Sequence, residues 1–100
     1  MRVVFSKIAN IHFNEILNEL SEKWTEKQTR VFISEYEKVI ENVKIKLVTY
    51  PYYSKKHQIH FALIGKKNVK MYFKVYTKDN IILVFDFFKV KRNPEKLYKL

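Results

Sequence analysis

The chain has 100 residues and no cysteine, and its 20 Lys and Arg outnumber its 10 Asp and Glu, which gives a net charge of +10. This length predicts a single domain over residues 1–100, and the absence of cysteine excludes a disulfide framework and any cysteine-ligated metal site. Hydrophobic residues make up 47% of the chain, which argues against intrinsic disorder, and no apolar run is long enough to span a membrane.

The first half of the chain predicts a short strand followed by two helices. Val3, Val4 and Phe5 predict a short strand over residues 2–5, and the Ser6 hydroxyl can then accept a hydrogen bond from a free amide in the first turn of a helix over residues 7–23. Thr25 and Gln28 have the spacing of a capping box, which predicts a second helix that ends near residue 46. Because the break between the two helices is very short, they are expected to form an antiparallel hairpin.

The second half predicts antiparallel strands. Pro51 disfavours helix at the residue before it, so residues 50–53 are predicted to be a loop. Downstream, apolar and polar residues alternate with a period of two, most regularly in the middle segment, and the last segment is apolar on both faces, as in a central strand. Residues 92–100 form a C-terminal tail, in which Asn93 and Pro94 predict a helix start, with Asn93 as the cap and Pro94 at the first helical position. The predicted strands are residues 59–65, 69–76 and 80–90.

These elements predict an α+β fold. The helix hairpin would pack on one face of a twisted antiparallel sheet, a two-layer sandwich in the order β-α-α-β-β-β. The opposite face of the sheet would carry Lys70, Tyr72 and Lys74, with His60 as a further candidate.

The positive charge is concentrated in the second half of the chain. Residues 1–48 hold eight Lys and Arg and seven Glu, whereas residues 49–100 hold twelve Lys and Arg and three acids. A one-sided positive field attracts nucleic acid, an acidic protein surface or an acidic disordered segment. A solubilising surface is the ordinary alternative, and the segregation of charge argues against it.

Four segments of the chain carry a recognisable pattern. They are Val4 to Ala9, Leu20 to Trp24, the sequence KMYFKV at residues 70–75 and the sequence KRNPEKL at residues 91–97. In this order and spacing they resemble the RelE/ParE family of bacterial toxins, in which the last two segments are written YRIxYRV and RRDPEKL. The resemblance implies the toxin of a type II toxin–antitoxin system, a cytoplasmic protein without a cofactor that is neutralised by a cognate antitoxin.

The resemblance implies two alternative activities. Family members that cut messenger RNA on the ribosome use a cluster of Arg, Lys and Tyr, and sometimes His or Glu; the candidates here are Lys70, Lys74, Lys91, Arg92 and Tyr98. Members that poison DNA gyrase lack that cluster and have a prominent helix hairpin. Lys70 stands where the family usually has Arg, and Phe73 where it usually has Tyr. The long hairpin and depleted cluster favour gyrase inhibition, with Tyr72, Lys74 and Arg92 as target-binding residues.

The chemistry of each candidate residue leaves alternatives open. RNA cleavage without a metal needs a base, an acid and cations that stabilise the phosphorane. Lys70 and Lys74 lie four residues apart, roughly 13 Å along one strand face, so a base among them needs help from Lys91 or Arg92. Solvated lysines on an exposed sheet are the ordinary alternative. The Arg92 guanidinium forks onto phosphate or carboxylate, or it pairs with a nearby carboxylate, and Tyr98 lies so near the end that a frayed tail competes with any role.

No metal site is expected, because His57 and His60 have no third ligand at a recognisable spacing. His12 is predicted to be a surface residue of the first helix. Three functions therefore stay open: a gyrase inhibitor, a ribosome-dependent endoribonuclease of the same fold, and a non-enzymatic basic binding module, such as an inactive toxin that still binds its antitoxin.

Overall fold

The structure is a computed structural model that describes residues 1–23, 25–46 and 48–90, without the side chains of Ser21 and Lys23. The described residues do not include Lys91 or the predicted tail, residues 92–100. They also do not include Trp24, which follows the first predicted helix. The elements follow the predicted order, with one strand added. They are β1 (Arg2–Phe5), α1 (Lys7–Lys23), α2 (Glu26–Lys44), β2 (Tyr52–Ser54), β3 (Ile59–Ile64), β4 (Val69–Tyr76) and β5 (Ile81–Lys89).

The α+β class is confirmed: two helices accompany a five-stranded sheet of order β1-β5-β4-β3-β2. The prediction of a wholly antiparallel sheet is wrong, because β1 pairs with β5 in parallel, with Phe5 opposite Val84. Tight turns force β3, β4 and β5 to alternate in direction. The chain between β1 and β5 contains both helices and three strands, so no tight turn fixes their relative direction.

Strand β2 corrects the prediction of a loop at residues 50–53. It is a three-residue edge strand, antiparallel to β3 and irregular between Tyr52 and Ser54. Proline has no amide to donate, but its carbonyl remains available, and that of Pro51 accepts a hydrogen bond from the Phe61 amide at 3.1 Å. Proline is tolerated beside an edge strand because one side of that strand needs no partner.

Both predicted helix starts are confirmed. The Ser6 hydroxyl accepts from the Ala9 amide at 3.0 Å, which satisfies one free donor at the start of α1. At the start of α2, the Thr25 side chain accepts from the Gln28 amide, while the Gln28 side chain accepts from the Thr25 amide at 3.0 Å. This reciprocal pair is a capping box.

The core lies between the helices and the sheet. Phe32 of α2, Phe73 of β4 and Phe87 of β5 are each almost fully buried there. Phe13 of α1 joins the layers, because its ring lies 4.9 Å from that of Phe87 and 5.7 Å from that of Phe32. Burying a side chain of this size stabilises the fold by roughly 1.5–3 kcal/mol, so these contacts hold the helix hairpin on the sheet.

Candidate functional site

Strand β4 presents different side chains to its two sides. Val69, Met71 and Phe73 are buried toward the helices. The alternating Lys70, Tyr72 and Lys74 are only partly buried, because successive side chains of a strand point to opposite faces. The prediction that these three residues share the face away from the helices is therefore confirmed, and this face is called the outer face.

The outer face is largely apolar around its two lysines. Phe61 of β3 lies opposite Tyr72, and Leu63 lies opposite Lys70. On the other side of β4, Phe88 of β5 lies opposite Lys70. Leu63 is 42% exposed and Phe88 is 57% exposed. Large apolar side chains left uncovered in one patch are typical of an interaction surface.

The two lysines of the outer face contact different aromatic rings. The Lys70 ammonium lies 5.7 Å from the centre of the Phe61 ring, and the Lys74 ammonium lies 5.1 Å from the centre of the Tyr76 ring. Both distances are within the range of a cation–π contact. Each cation is thus held on its own ring, on opposite sides of Tyr72, rather than directed to a common point.

An irregularity in β5 shapes the middle of the outer face. Tyr72 pairs with Asp86 and Phe73 pairs with Val84, so Phe85 is an additional residue between the two pairs. This is a β-bulge, which bends a strand and redirects its side chains. Beside it lies an open cleft of about 450 Å³, lined by Tyr53, Ile59, Tyr72, Phe85, Asp86 and Phe88.

A histidine–aspartate pair stands behind this cleft. The His12 Nδ1 of α1 lies 2.6 Å from Oδ1 of Asp86, and the Phe87 amide donates to the same oxygen at 2.8 Å. The hydrogen bond to Asp86, together with the negative charges of Asp86 and Glu15, raises the pKa of His12 above its ordinary value, although partial burial opposes the shift. His12 is therefore more than the simple surface residue that the sequence predicted.

Tyr72 remains a neutral phenol near pH 7. Burial raises its pKa above the ordinary value of 10.0, and the neighbouring Tyr53 and Asp86 add to the shift. The rings of Tyr53 and Tyr72 meet edge to face, with their centres 4.8 Å apart. Tyr72 can thus donate a hydrogen bond or offer its ring, but it is not a base at neutral pH.

His60 does not lie on the outer face, which corrects its placement as a candidate there. It pairs with Phe73 across the sheet and therefore faces the helices. Its ring stacks between Tyr52 and Phe73, at 4.3 Å and 5.5 Å, and its Nδ1 lies 2.9 Å from the Tyr50 carbonyl oxygen. Among residues 1–23, 25–46 and 48–90, no three His, Asp or Glu side chains are grouped as a metal site.

The structure thus brings together part of the predicted site. Lys70, Tyr72 and Lys74 share the outer face, whereas Lys91, Arg92 and Tyr98 lie outside the described residues. Sequence reasoning missed His12 and Asp86, which are 74 positions apart. The one available signal was Asp86 itself, the single charge within the apolar run from Ile81 to Phe88.

Comparison with known proteins yields a structural match. The fold is similar to that of a chain in the solved structure described as the chromosomal ParDE TA system from P. aeruginosa, with a TM-score of 0.65 and 9% sequence identity. The match covers 91% of this chain and 97% of that chain. No protein-family model and no curated protein sequence matches the chain. None of the described helices is both long and apolar enough to cross a membrane.

Proposed function

We propose that this protein is the toxin of a type II toxin–antitoxin system and that it is held inactive by a cognate antitoxin. The observation that carries the proposal is the uncovered outer face, where exposed apolar side chains surround Lys70 and Lys74. The similarity of the fold to a chain from a ParDE system supports it. An acidic, partly disordered antitoxin segment fits such a surface because it offers both apolar and negative groups.

For the target we propose DNA gyrase, with Tyr72, Lys74 and Arg92 in contact with it. Support comes from the two lysines, each of which rests on its own aromatic ring instead of converging with the other. Binding a protein target needs only an aromatic and basic surface, whereas cleaving RNA needs a converged set of groups. Gyrase inhibition would place the protein's action in the bacterial cytoplasm.

A second candidate is ribosome-dependent cleavage of messenger RNA. The contact between His12 and Asp86, directly behind Tyr72, favours it, because a histidine held by a carboxylate can transfer protons near neutral pH. Lys70, Lys74, Lys91, Arg92 and Tyr98 would then supply the cations and the remaining acid. A non-enzymatic binding module is the third possibility, and it predicts antitoxin binding without toxicity.

Expression of the chain alone in a bacterium tests the proposal. We expect growth to stop, DNA breaks to accumulate and the supercoiling activity of purified gyrase to fall. Co-expression of the neighbouring small open reading frame should restore growth, and its product should co-purify with the chain. Arg92→Glu should weaken inhibition several-fold, because charge reversal disrupts a desolvated contact.

The same assays separate the alternatives. Lys70→Ala should have little effect on gyrase inhibition, whereas losing a transition-state contact in a nuclease lowers the rate on the order of 10²-fold. The nuclease function would be established instead by two results: messages are cleaved at defined codon positions while supercoiling is unaffected, and Lys70→Ala or His12→Ala abolishes that cleavage. Normal growth together with co-purification of the antitoxin would indicate an inactive toxin.

A further inference from the structure

The cleft on the outer face has the composition of a site for an organic cation. Four of its six lining residues are aromatic, namely Tyr53, Tyr72, Phe85 and Phe88, and a fifth, Asp86, is a carboxylate. The faces of aromatic rings carry negative electrostatic potential and attract ammonium and guanidinium groups. The remaining residue, Ile59, offers apolar contact to the methylene groups that carry such a cation.

Asp86 is held in place from inside the fold. Its Oδ1 contacts both His12 Nδ1 and the Phe87 amide, so the hydrogen-bonding capacity of that oxygen is used within the fold. Its other oxygen has no hydrogen-bond partner within the described part of the chain, and the side chain is 32% exposed. Although the protein carries 20 Lys and Arg, none of those in the described ranges forms a salt bridge with Asp86. The carboxylate is therefore oriented, accessible and able to accept one more donor.

We propose that this cleft binds the cationic side chain, Arg or Lys, of the antitoxin segment that covers the outer face. The free carboxylate oxygen can accept a hydrogen bond from one of the several N–H donors at the tip of such a side chain. A nucleotide phosphate is disfavoured, because the cleft is lined by aromatic faces, one apolar side chain and a carboxylate, with no Lys or Arg among the lining residues. This inference depends on the proposed function and identifies the chemistry by which the partner is recognised.

The charge of the whole protein indicates how the cation arrives. A net charge of +10 repels a free amine at long range. A cation within an otherwise acidic segment avoids this repulsion, because its neighbours are attracted to Lys70 and Lys74 on either side of Tyr72. A segment of this composition is therefore favoured over a free polyamine, and Asp86, the one carboxylate that lines the cleft, would set its register on the sheet.

The test uses the full chain and two peptide probes. One is acetyl-Glu-Glu-Arg-Glu-Glu-amide, and the other has citrulline, which is neutral and nearly identical in shape, in place of arginine. NMR titration of the tyrosine ring signals gives both dissociation constants. We expect the arginine peptide to bind about tenfold more tightly, as a charged contact and a partly desolvated cation–π contact together imply.

Three variants locate the binding. Asp86→Asn should remove most of the preference for arginine. Tyr53→Ala should reduce it too, and Tyr53 is 65% exposed, so this variant keeps the core intact. Asp79→Asn removes the same charge from an exposed turn and should leave the preference unchanged.

Three results would overturn the inference: equal affinity for the two peptides, a preference that survives Asp86→Asn, or saturable binding of guanosine monophosphate that shifts the same tyrosine signals. Failure here is distinguishable from failure of the proposed function, which is measured by growth arrest and its rescue. If rescue succeeds and the peptides do not differ, only the cation site is wrong. If the peptides differ and rescue fails, the cation site stands and its assignment to an antitoxin is wrong.

Discussion

At the scale of single residues, Asp86 connects the core to the outer face. Its backbone lies in β5, in which Val84 and Phe87 are buried, while its side chain reaches the cleft beside Tyr72. Without its hydrogen bonds, a carboxylate so close to the core would be costly. His12 and the Phe87 amide supply those bonds, so the same contacts that stabilise Asp86 also fix its orientation.

The contact between His12 and Asp86 predicts a stability that depends on pH. The pKa of His12 is higher in the folded protein than its ordinary value of 6.5. The ion pair therefore contributes fully below about pH 6.5, and its contribution is lost as the pH rises through the folded-state pKa. We expect the melting temperature of the wild type, relative to His12→Gln, to fall as the pH rises above about 6.5, as thermal unfolding would record. The other two histidines are common to both proteins and cancel in this difference. Parallel curves would show that the ion pair contributes nothing.

Gly65 is a second residue whose identity the fold requires. It has φ of +62°, and a Cβ there would lie 3.1 Å from the Phe32 side chain in the core. Gly65→Ala should lower the free energy of unfolding by about 1–2 kcal/mol, measured by urea denaturation. The matched control is Lys66→Gly, because Lys66 has φ of +56° in an open, exposed turn. That substitution should be neutral or stabilising by up to ~1 kcal/mol. If Lys66→Gly lowered the free energy of unfolding more than Gly65→Ala, the argument from backbone conformation would be wrong.

At the scale of the elements, the capping box determines where α2 begins. Thr25→Ala removes the side-chain acceptor for the Gln28 amide and should lower the free energy of unfolding by about 1 kcal/mol. Thr29→Ala is the control, since its hydroxyl makes only a long, exposed contact of 3.4 Å with the Thr25 carbonyl. It should change stability by less than ~0.5 kcal/mol. If chemical denaturation gives equal losses of stability for Thr25→Ala and Thr29→Ala, the hydrogen bond of the Thr25 cap makes no specific contribution.

Elements with a strong periodic pattern could be predicted from the sequence. Strand β4 has the predicted bounds because its alternation of apolar and polar residues is regular. Strand β2 could not be predicted: three residues are too few to show a period, and their pairing with β3 is a tertiary contact. The parallel pairing of β1 with β5 was missed for the same reason, since local patterns carry no information on which distant strand is the neighbour.

The candidate site likewise has one part that the sequence could predict and one part that it could not. Lys70, Tyr72 and Lys74 share a face because a strand has a period of two, so the sequence alone predicted their grouping. The contact of His12 with Asp86 depends on how α1 crosses the end of β5, which is set by core packing. A charged residue among apolar sequence neighbours, such as Asp86, can be noted in a sequence, but its partner cannot be identified without the fold.

At the scale of the whole molecule, the outer face and the charge of the second half act together. If an acidic antitoxin segment binds there, its association rate should fall about tenfold or more when NaCl is raised from ~0.05 M to ~0.5 M. Lys74→Ala should weaken the complex, whereas Lys38→Ala, an equal loss of charge on the exposed side of α2, should not. Surface plasmon resonance measures both effects. An association rate that is independent of salt would contradict electrostatic steering.

The bulge at Phe85 divides β5 into two parts with different freedom to evolve. Before it, β5 is flanked by β1 and β4, and Ile82 and Val84 are fully buried, so substitutions at these two positions disturb the core. After it, β1 has ended and the strand supplies Asp86 and Phe88 to the cleft. If the outer face binds an antitoxin as proposed, recognition of that partner can diverge at Asp86 and Phe88, while Ile82, Val84 and Phe87 preserve the fold. Where several such proteins occur together, differences at Asp86 and Phe88 would keep their proposed antitoxins from being exchanged.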